Sequence, residues 1–244
     1  MSEQRTAGII VIGNEILSGK VTDENSPFMA RGLRAVGVEL RRIVTIPDEV
    51  DLIAAAVENF REAYDLVFTS GGVGPTHDDV TIEGIAAGLG REVVRHPDLE
   101  AGIRSFIKGE VNEAQLKMAE VPEGATLLHD EKMGFPTVCV ENIYILPGIP
   151  EILRKKFDAL RDSFQVAPYH LKVIYTSSSE SDIADSLNQT MSEFPELLLG
   201  SYPKIGNPEY RVKLTIESKD ESYAQRAFDR LLHLLTVDAI VRTE

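Results

Sequence analysis

The chain has no tryptophan, a single cysteine and only 7% aromatic residues among its 244. One cysteine cannot form an internal disulfide, which excludes a disulfide-stapled scaffold. Cys139 lies in the run Pro136-Thr137-Val138-Cys139-Val140. With no activating base near it in sequence, it reads as a small buried hydrophobe of a strand. Basic residues are scarce as well: 25 Lys and Arg stand against 39 Asp and Glu, for a net charge of −14. Such a surface repels a nucleic-acid backbone, and no cluster of Lys or Arg reverses the sign locally, so no nucleic-acid partner is expected. Long apolar runs are missing too. The first, in MSEQRTAGIIVIGNEIL, is broken by Gly13 and Asn14, far short of the roughly 20 residues a membrane helix needs. That segment carries no cleavable signal pattern, so the expected location is cytoplasmic, without a membrane partner. No internal repeat and no low-complexity segment is visible.

What the chain does have is apolar residues spread along its length, 43% in all, enough for a real core. Its length allows a medium domain followed by a small one. Gly8 to Ile12 reads as a buried strand of a parallel sheet covered on both faces. A polar loop, Gly13 to Ser26, follows. Ser26 and Pro27 suggest a cap and first turn of a helix ended by Gly37. Val38 to Thr45 is a second strand, Pro47 and Asp48 open a second helix that Asp48 can cap, and Asp65 to Ser70 is a third strand. A helix from about Val80 to Leu89 ends at Gly90. This alternation indicates βαβ units with right-handed crossovers. Helices over Leu99 to Ile107 and Glu113 to Ala119 follow, the second capped by Asn112. Strands are expected through Val138 to Val140 and Ile143 to Leu146, then a helix from Pro150 to about Phe164. The rhythm changes near Gln165 to His170. The remainder reads β-α-β-β-α, with a possible last strand at Val237 to Arg242. The expectation is a three-layer, doubly wound, mostly parallel α/β domain over residues 1–168 and a small α+β domain over 169–244.

The strongest site signal is Gly71-Gly72-Val73-Gly74-Pro75-Thr76-His77-Asp78-Asp79. Glycines at the carboxyl end of a parallel strand allow close backbone approach to a ligand, and the N–H groups of the following helix suit a phosphate. Gly71, Gly72, Gly74, Thr76 and His77 are the candidate contacts. The Gly-Lys-Ser/Thr ending of a triphosphate loop is absent, and the spacing is not that of a dinucleotide fingerprint. Asp78 and Asp79 are adjacent carboxylates beside an anion seat. A bridging Mg²⁺-like ion would compensate them, while one of them, Asp79, could instead cap the following helix. The first loop adds Glu15, Asp23 and Asn25 as metal or hydroxyl ligands and Lys20 as a phosphate contact, with Gly13 and Glu15 among the cofactor-binding candidates. The scattered histidines show no metal-ligand spacing. There is no His-Glu-x-x-His run and no Gly-x-Ser-x-Gly elbow. Ser177-Ser178-Ser179 reads as a strand end and helix cap.

These motifs carry a resemblance. Gly13-Asn14-Glu15-Ile16-Leu17 with Asp23 and Asn25, Pro47-Asp48-Glu49, and Gly71 through Thr81 resemble the molybdopterin-binding domain of MoaB/Mog-type proteins. Gly74-Pro75-Thr76-His77-Asp78-Asp79, Asn112-Glu113-Ala114-Gln115, Val121-Pro122-Glu123-Gly124-Ala125 and Leu146-Pro147-Gly148 are nearer the pattern of CinA-type competence/damage-inducible proteins and eukaryotic-type FAD synthases. Gly200-Ser201-Tyr202-Pro203 extends that likeness into the second domain. The resemblance implies two activities. Mog-type enzymes adenylate molybdopterin, and two of their carboxylates fall on Asp48 and Asp79 here. CinA-type and FAD-synthase-type domains hydrolyse pyrophosphates such as ADP-ribose or FAD with a divalent metal. Asp78 stands where the Mog pattern has arginine, which favours the second activity. The expectation is therefore a metal-dependent nucleotide pyrophosphatase, with Asp48 and Asp79 catalytic and Asp78, Asp79, Asp23 and Glu15 on the metal. The alternatives are a molybdopterin adenylyltransferase and a non-catalytic cofactor-binding module. The partner is a small phosphate-containing molecule, and the resemblance implies a homo-oligomer, dimer or trimer.

Overall fold

Successive side chains of a strand point to opposite faces, so an unbroken apolar run requires cover on both. The computed structural model, which describes residues 4–129 and 134–244, provides that cover for β1 (Thr6–Ile12). Ile9 and Val11 pack with Met29, Leu33, Phe68 and Phe157. Ile10 and Ile12 face the other way, onto Ile53, Val57, Phe60 and Ile85. The chain continues through α1 (Asn14–Leu17), α2 (Asn25–Ala35), β2 (Glu39–Ile46), α3 (Val50–Ala63), β3 (Leu66–Ser70) and α4 (Thr81–Leu89). A side lobe follows, made of β4 (Val93–Arg95), α5 (Pro97–Phe106), α6 (Glu113–Lys117) and β5 (Glu120–Pro122). Its two strands pair antiparallel, and Leu99, Ile103, Ala119 and Val121 form its core. The strands β6 (Thr126–Leu128), β7 (Thr137–Val140) and β8 (Ile143–Leu146) and the helix α7 (Pro150–Arg161) complete the first unit.

The main sheet has the order β2-β1-β3-β8-β7-β6. The four strands β2, β1, β3 and β8 are parallel, β7 runs antiparallel to β8, and β6 runs antiparallel to β7. From β1 the chain moves outward to β2, then crosses back to place β3 on the other side of β1. The carboxyl ends of β1 and β3 therefore flank a topological switch point, the crevice where open α/β sheets bind ligands. The loops at Gly13, Pro47, Gly71 and Pro147 all leave the sheet at this end. Close packing of α3 on α4 fixes the helix that follows the glycine loop. A Cβ on Gly84 would lie 2.5 Å from the Ile53 side chain, and one on Gly88 2.6 Å from the Ala54 carbonyl oxygen.

The chain divides after Val166. The second unit contains β9 (His170–Thr176), α8 (Glu180–Glu193), β10 (Leu198–Pro203), β11 (Val212–Ser218), α9 (Glu221–Leu234) and β12 (Ile240–Thr243). Its antiparallel sheet has the order β10-β11-β9-β12, and Ile174, Leu214, Ile216, Ala227 and Leu231 form its core. The expected cap at Ser179 is present as a reciprocal capping box with Asp182, and the expected last strand is β12. Among the described residues, no helix is long and apolar enough to cross a membrane.

Several local expectations need correction. The loop after β1 contains α1, and Ser26 lies inside α2 rather than capping it. Asp23 takes the capping task instead, its Oδ1 accepting from the Asn25 and Ser26 N–H groups at 2.9 and 3.0 Å. Asp48 does not cap α3, whose boundary residue is Glu49 with no side-chain cap. Asp79 does not cap α4, which begins after Val80 and is likewise uncapped by a side chain.

Candidate functional site

The glycine loop is shaped by contacts that leave no room for side chains. Gly71 has φ +109°, and a Cβ there would fall 2.1 Å from the Ile12 carbonyl oxygen at the end of β1. Gly72 has φ +63°, and a Cβ would sit 2.4 Å from the Thr81 Oγ1. Only glycine meets both the backbone and the spatial requirement. Thr81, fully buried at the start of α4, donates its hydroxyl to the Gly71 carbonyl at 2.8 Å, and its N–H donates to the Gly72 carbonyl at 3.0 Å. Gly71 N–H in turn donates to the Leu146 carbonyl at the end of β8. The turn is thus pinned to two strands and a helix before any ligand is present.

Carboxylates organise the loops. Asp48 Oδ2 accepts the Asn14 N–H at 2.8 Å, joining the loop after β2 to α1. Asp79 Oδ2 accepts the Thr76 N–H at 2.8 Å as well as the Thr76 hydroxyl, closing the loop on itself. Lys117, on α6, donates to the Asp79 carbonyl at 2.7 Å and the Thr76 carbonyl at 3.3 Å, and its ammonium lies 3.4 Å from Glu83 on α4. The lobe therefore clamps the glycine loop from outside.

Two cavities flank this loop. The smaller, about 70 Å³, is lined by Glu15, Asp23, Asn25, Ser70, Gly71 and Gly148 together with apolar side chains such as Ile12, Ile16 and Val21. Asn25 is buried there, donating Nδ2 to the Ser70 Oγ at 3.0 Å and the Gly148 carbonyl at 2.8 Å, while its Oδ1 has no partner. The larger, about 240 Å³, lies between the main sheet, α4 and the lobe, and it reaches Gly72, Gly74, Asp79, Lys117 and Lys156. Lys156 is 8% exposed on α7 and donates to the Phe135 and Pro136 carbonyls at 2.7 and 2.6 Å. Burial pulls its ammonium down to about 8.

The predicted residues thus separate. Gly71, Gly72, Gly74, Asp79 and Asp48 meet around one loop, with Glu15 and Asp23 lining the adjoining cavity, while Gly13 lines neither cavity and lies against the Glu15 carboxylate. His77 and Asp78 point outward, the His77 side chain being 98% exposed and its Nδ1 3.9 Å from Asp78. Thr76 is exposed, and its hydroxyl is spent on Asp79. Lys20 is exposed and lines neither cavity. The donor set does not fit a preformed metal centre. The carboxylates of Asp23, Asp48 and Asp79 already accept backbone N–H groups, Asp78 faces away, and no group of three or more His, Cys, Asp or Glu could hold an ion among the described residues. Cys139 is buried in β7, and burial raises its thiol to about 11, in keeping with a packing role.

Lys117 and Lys156 were not singled out from the sequence. Lys156 had a signal: it stands three residues after Leu153 and four before Leu160, on the apolar stripe of α7. A lysine on such a face either extends its ammonium to water past the apolar surface or is desolvated, and here it is desolvated.

Residues 8–164 match the family model described as "Probable molybdopterin binding domain", and residues 168–244 match "FAD synthase, middle domain". A protein of Archaeoglobus fulgidus is 36% identical over 227 residues, covering 93% of this chain and 96% of its own. A probable FAD synthase of Caenorhabditis elegans is 32% identical, covering 96% of this chain but 51% of its own, so the chain spans about half the length of that relative. The crystal structure of the protein CinA from Thermoplasma acidophilum is similar with a TM-score of 0.61 and 31% identity, over 66% of this chain and 98% of that one.

Proposed function

The chain belongs to the molybdopterin-binding domain family, in the company of CinA proteins and eukaryotic FAD synthases, and from that premise we propose that its first domain binds a molybdopterin- or nucleotide-type ligand by its phosphate. The observation that carries this reading is the turn Gly71 to Gly74. It lies at the switch point between β1 and β3, is held open by Thr81, and leads into a helix that no side chain caps. Backbone N–H groups and the positive end of α4 suit an anion there. Asp79 and Lys117 hold the turn in shape, so the ligand meets a rigid seat. Asp48 holds the Asn14 amide, and with it the rim of the neighbouring cavity. Adenylyl transfer to a pterin phosphate is the reaction that family membership favours. Asp48 and Asp79 are the carboxylates nearest the seat.

Hydrolysis of FAD or ADP-ribose is the second reading. It is favoured by the match of the second domain to the FAD synthase middle domain. A metal-assisted version of it has no preformed ligand set to rest on, so no step is assigned to an ion.

The test is to incubate the purified protein with molybdopterin and ATP, and separately with ADP-ribose, FAD and NAD, with and without Mg²⁺, Mn²⁺ or Co²⁺. Products are separated by chromatography, and binding is followed by calorimetry. Adenylated pterin supports the first reading. AMP released from FAD or ADP-ribose supports the second. Absence of binding by every phosphate-bearing ligand overturns both.

A further inference from the structure

Two lysines line the larger cavity, and their partners differ in number. Lys117 donates to the Thr76 and Asp79 carbonyls and meets the Glu83 carboxylate, three acceptors for the three N–H groups of an ammonium. Lys156 donates to the Phe135 and Pro136 carbonyls, at 2.7 and 2.6 Å, and among the described residues it has no carboxylate partner. Two acceptors complement a neutral amine, which has two N–H groups and a lone pair. Burial favours the same form. Lys156 is 8% exposed, a third N–H without an acceptor is costly in such a place, and desolvation pulls the ammonium down to about 8. With both N–H groups spent on the chain's own carbonyls, the lone pair is left for the cavity. A lysine amine held neutral in an apolar pocket is a nucleophile toward carbonyl compounds.

The cavity suits a small apolar solute. Ile82, Leu99, Ile103 and Ile145 are among its walls. At about 240 Å³ it is smaller than the roughly 300–1,000 Å³ of a pocket that takes a whole drug-sized ligand. Met118, Phe135 and Ile152 also line it and are exposed, so a solute can enter past them.

We propose that Lys156 is a nucleophilic amine that captures apolar aldehydes in this cavity as Schiff bases. The Nζ lone pair adds to the aldehyde carbon while the carbonyl π pair moves to oxygen. A proton passes from nitrogen to that oxygen, giving a carbinolamine. The oxygen then leaves as water and the C=N bond forms. Both hydrogens of that water come from the amine's two N–H groups, so neither oxidant nor reductant is required. The Glu120 carboxylate lines the same cavity and can carry these protons. A protonated Schiff base keeps one N–H, which the Phe135 or Pro136 carbonyl can accept. The capture needs no phosphate on its substrate, so it stands apart from the reading of the glycine loop.

The test traps the Schiff base. The full chain is incubated with benzaldehyde and sodium cyanoborohydride, which reduces the C=N bond to a stable secondary amine, and the label at each lysine is read by peptide mass mapping, in buffer and in urea. In buffer Lys156 should be labelled at least tenfold faster than Lys117 in the same cavity and than the exposed Lys20. In urea the three should react alike. Lys156→Met should lose the fast label and keep the slow ones; where that variant fails to fold, the comparison of buffer with urea decides alone. Glyceraldehyde, which is polar, should label Lys156 no faster than Lys20. Label on the exposed lysines with Lys156 silent in buffer overturns the proposal and leaves Lys156 as a clamp on the Phe135–Pro136 segment. Fast labelling of Lys156 by glyceraldehyde overturns the assignment to apolar aldehydes.

Discussion

Replacing Lys156 by methionine should change how stability depends on pH. In the folded chain burial lowers this ammonium from its ordinary 10.5 to about 8, while in the unfolded chain it keeps the ordinary value. Between those limits the unfolded state binds more protons, so stability rises with pH across the window. Below about pH 8 both states carry the charge, and the full cost of burying it is present. At 1.36 kcal/mol per pK unit the gain on passing through the window has an upper limit of about 3 kcal/mol, which screening at the cavity mouth reduces. Urea unfolding of the first unit is measured at pH 7, 8, 9 and 10 for the native chain and Lys156→Met. Groups common to both proteins cancel in the difference. The native chain should gain on the variant by about 2–3 kcal/mol between pH 7.5 and 10. A difference that stays flat would refute a desolvated ammonium and leave Lys156 as an ordinary surface cation.

Gly71→Ala should destabilise the first unit by about 2–5 kcal/mol, from an unfavourable φ and a clash with β1, read as a fall in the urea midpoint. Thr81→Val keeps the volume but strands the Gly71 carbonyl, for an expected loss of about 1–3 kcal/mol together with weaker pyrophosphate binding by calorimetry. Ser179→Ala opens the capping box of α8 and should cost about 1 kcal/mol in the second unit, seen in the melting of that unit alone. Asp79→Asn keeps a side-chain carbonyl for the Thr76 N–H, so the fold should survive by circular dichroism. If Asp79 serves the reaction, turnover in the product assay should fall at least tenfold; undiminished turnover would remove it from that role.

The parallel core was legible because Gly8–Ile12 and Leu66–Phe68 are unbroken apolar runs, and because glycines and prolines mark where each strand stops. The lobe strands β4 and β5 were not legible. Three residues cannot display a period, and Val93 and Val94 are both 36% exposed. The glycine loop announced itself through residue type, but the partners of its carboxylates did not. Asp48 and Asp79 each stand next to a helix start, where a cap is the local expectation. Their actual acceptor bonds reach across 34 residues to Asn14 and back within the loop to Thr76, and neither follows from spacing along the chain. Lys117 escaped for the same reason: its contacts with Thr76 and Asp79 exist only once the lobe has folded over the loop.

The tight seam between α3 and α4 has a kinetic consequence. With Gly84 set against Ile53 and Gly88 against the Ala54 backbone, α4 has little freedom to slide or tilt without losing dense contact. The end of the helix at the proposed phosphate seat is therefore already in place before any ligand arrives, and little ordering entropy remains to be lost there. Capture of a phosphate at this end should be a single bimolecular event, its observed rate climbing linearly with ligand concentration. A plateau would mean that some other element has to move first.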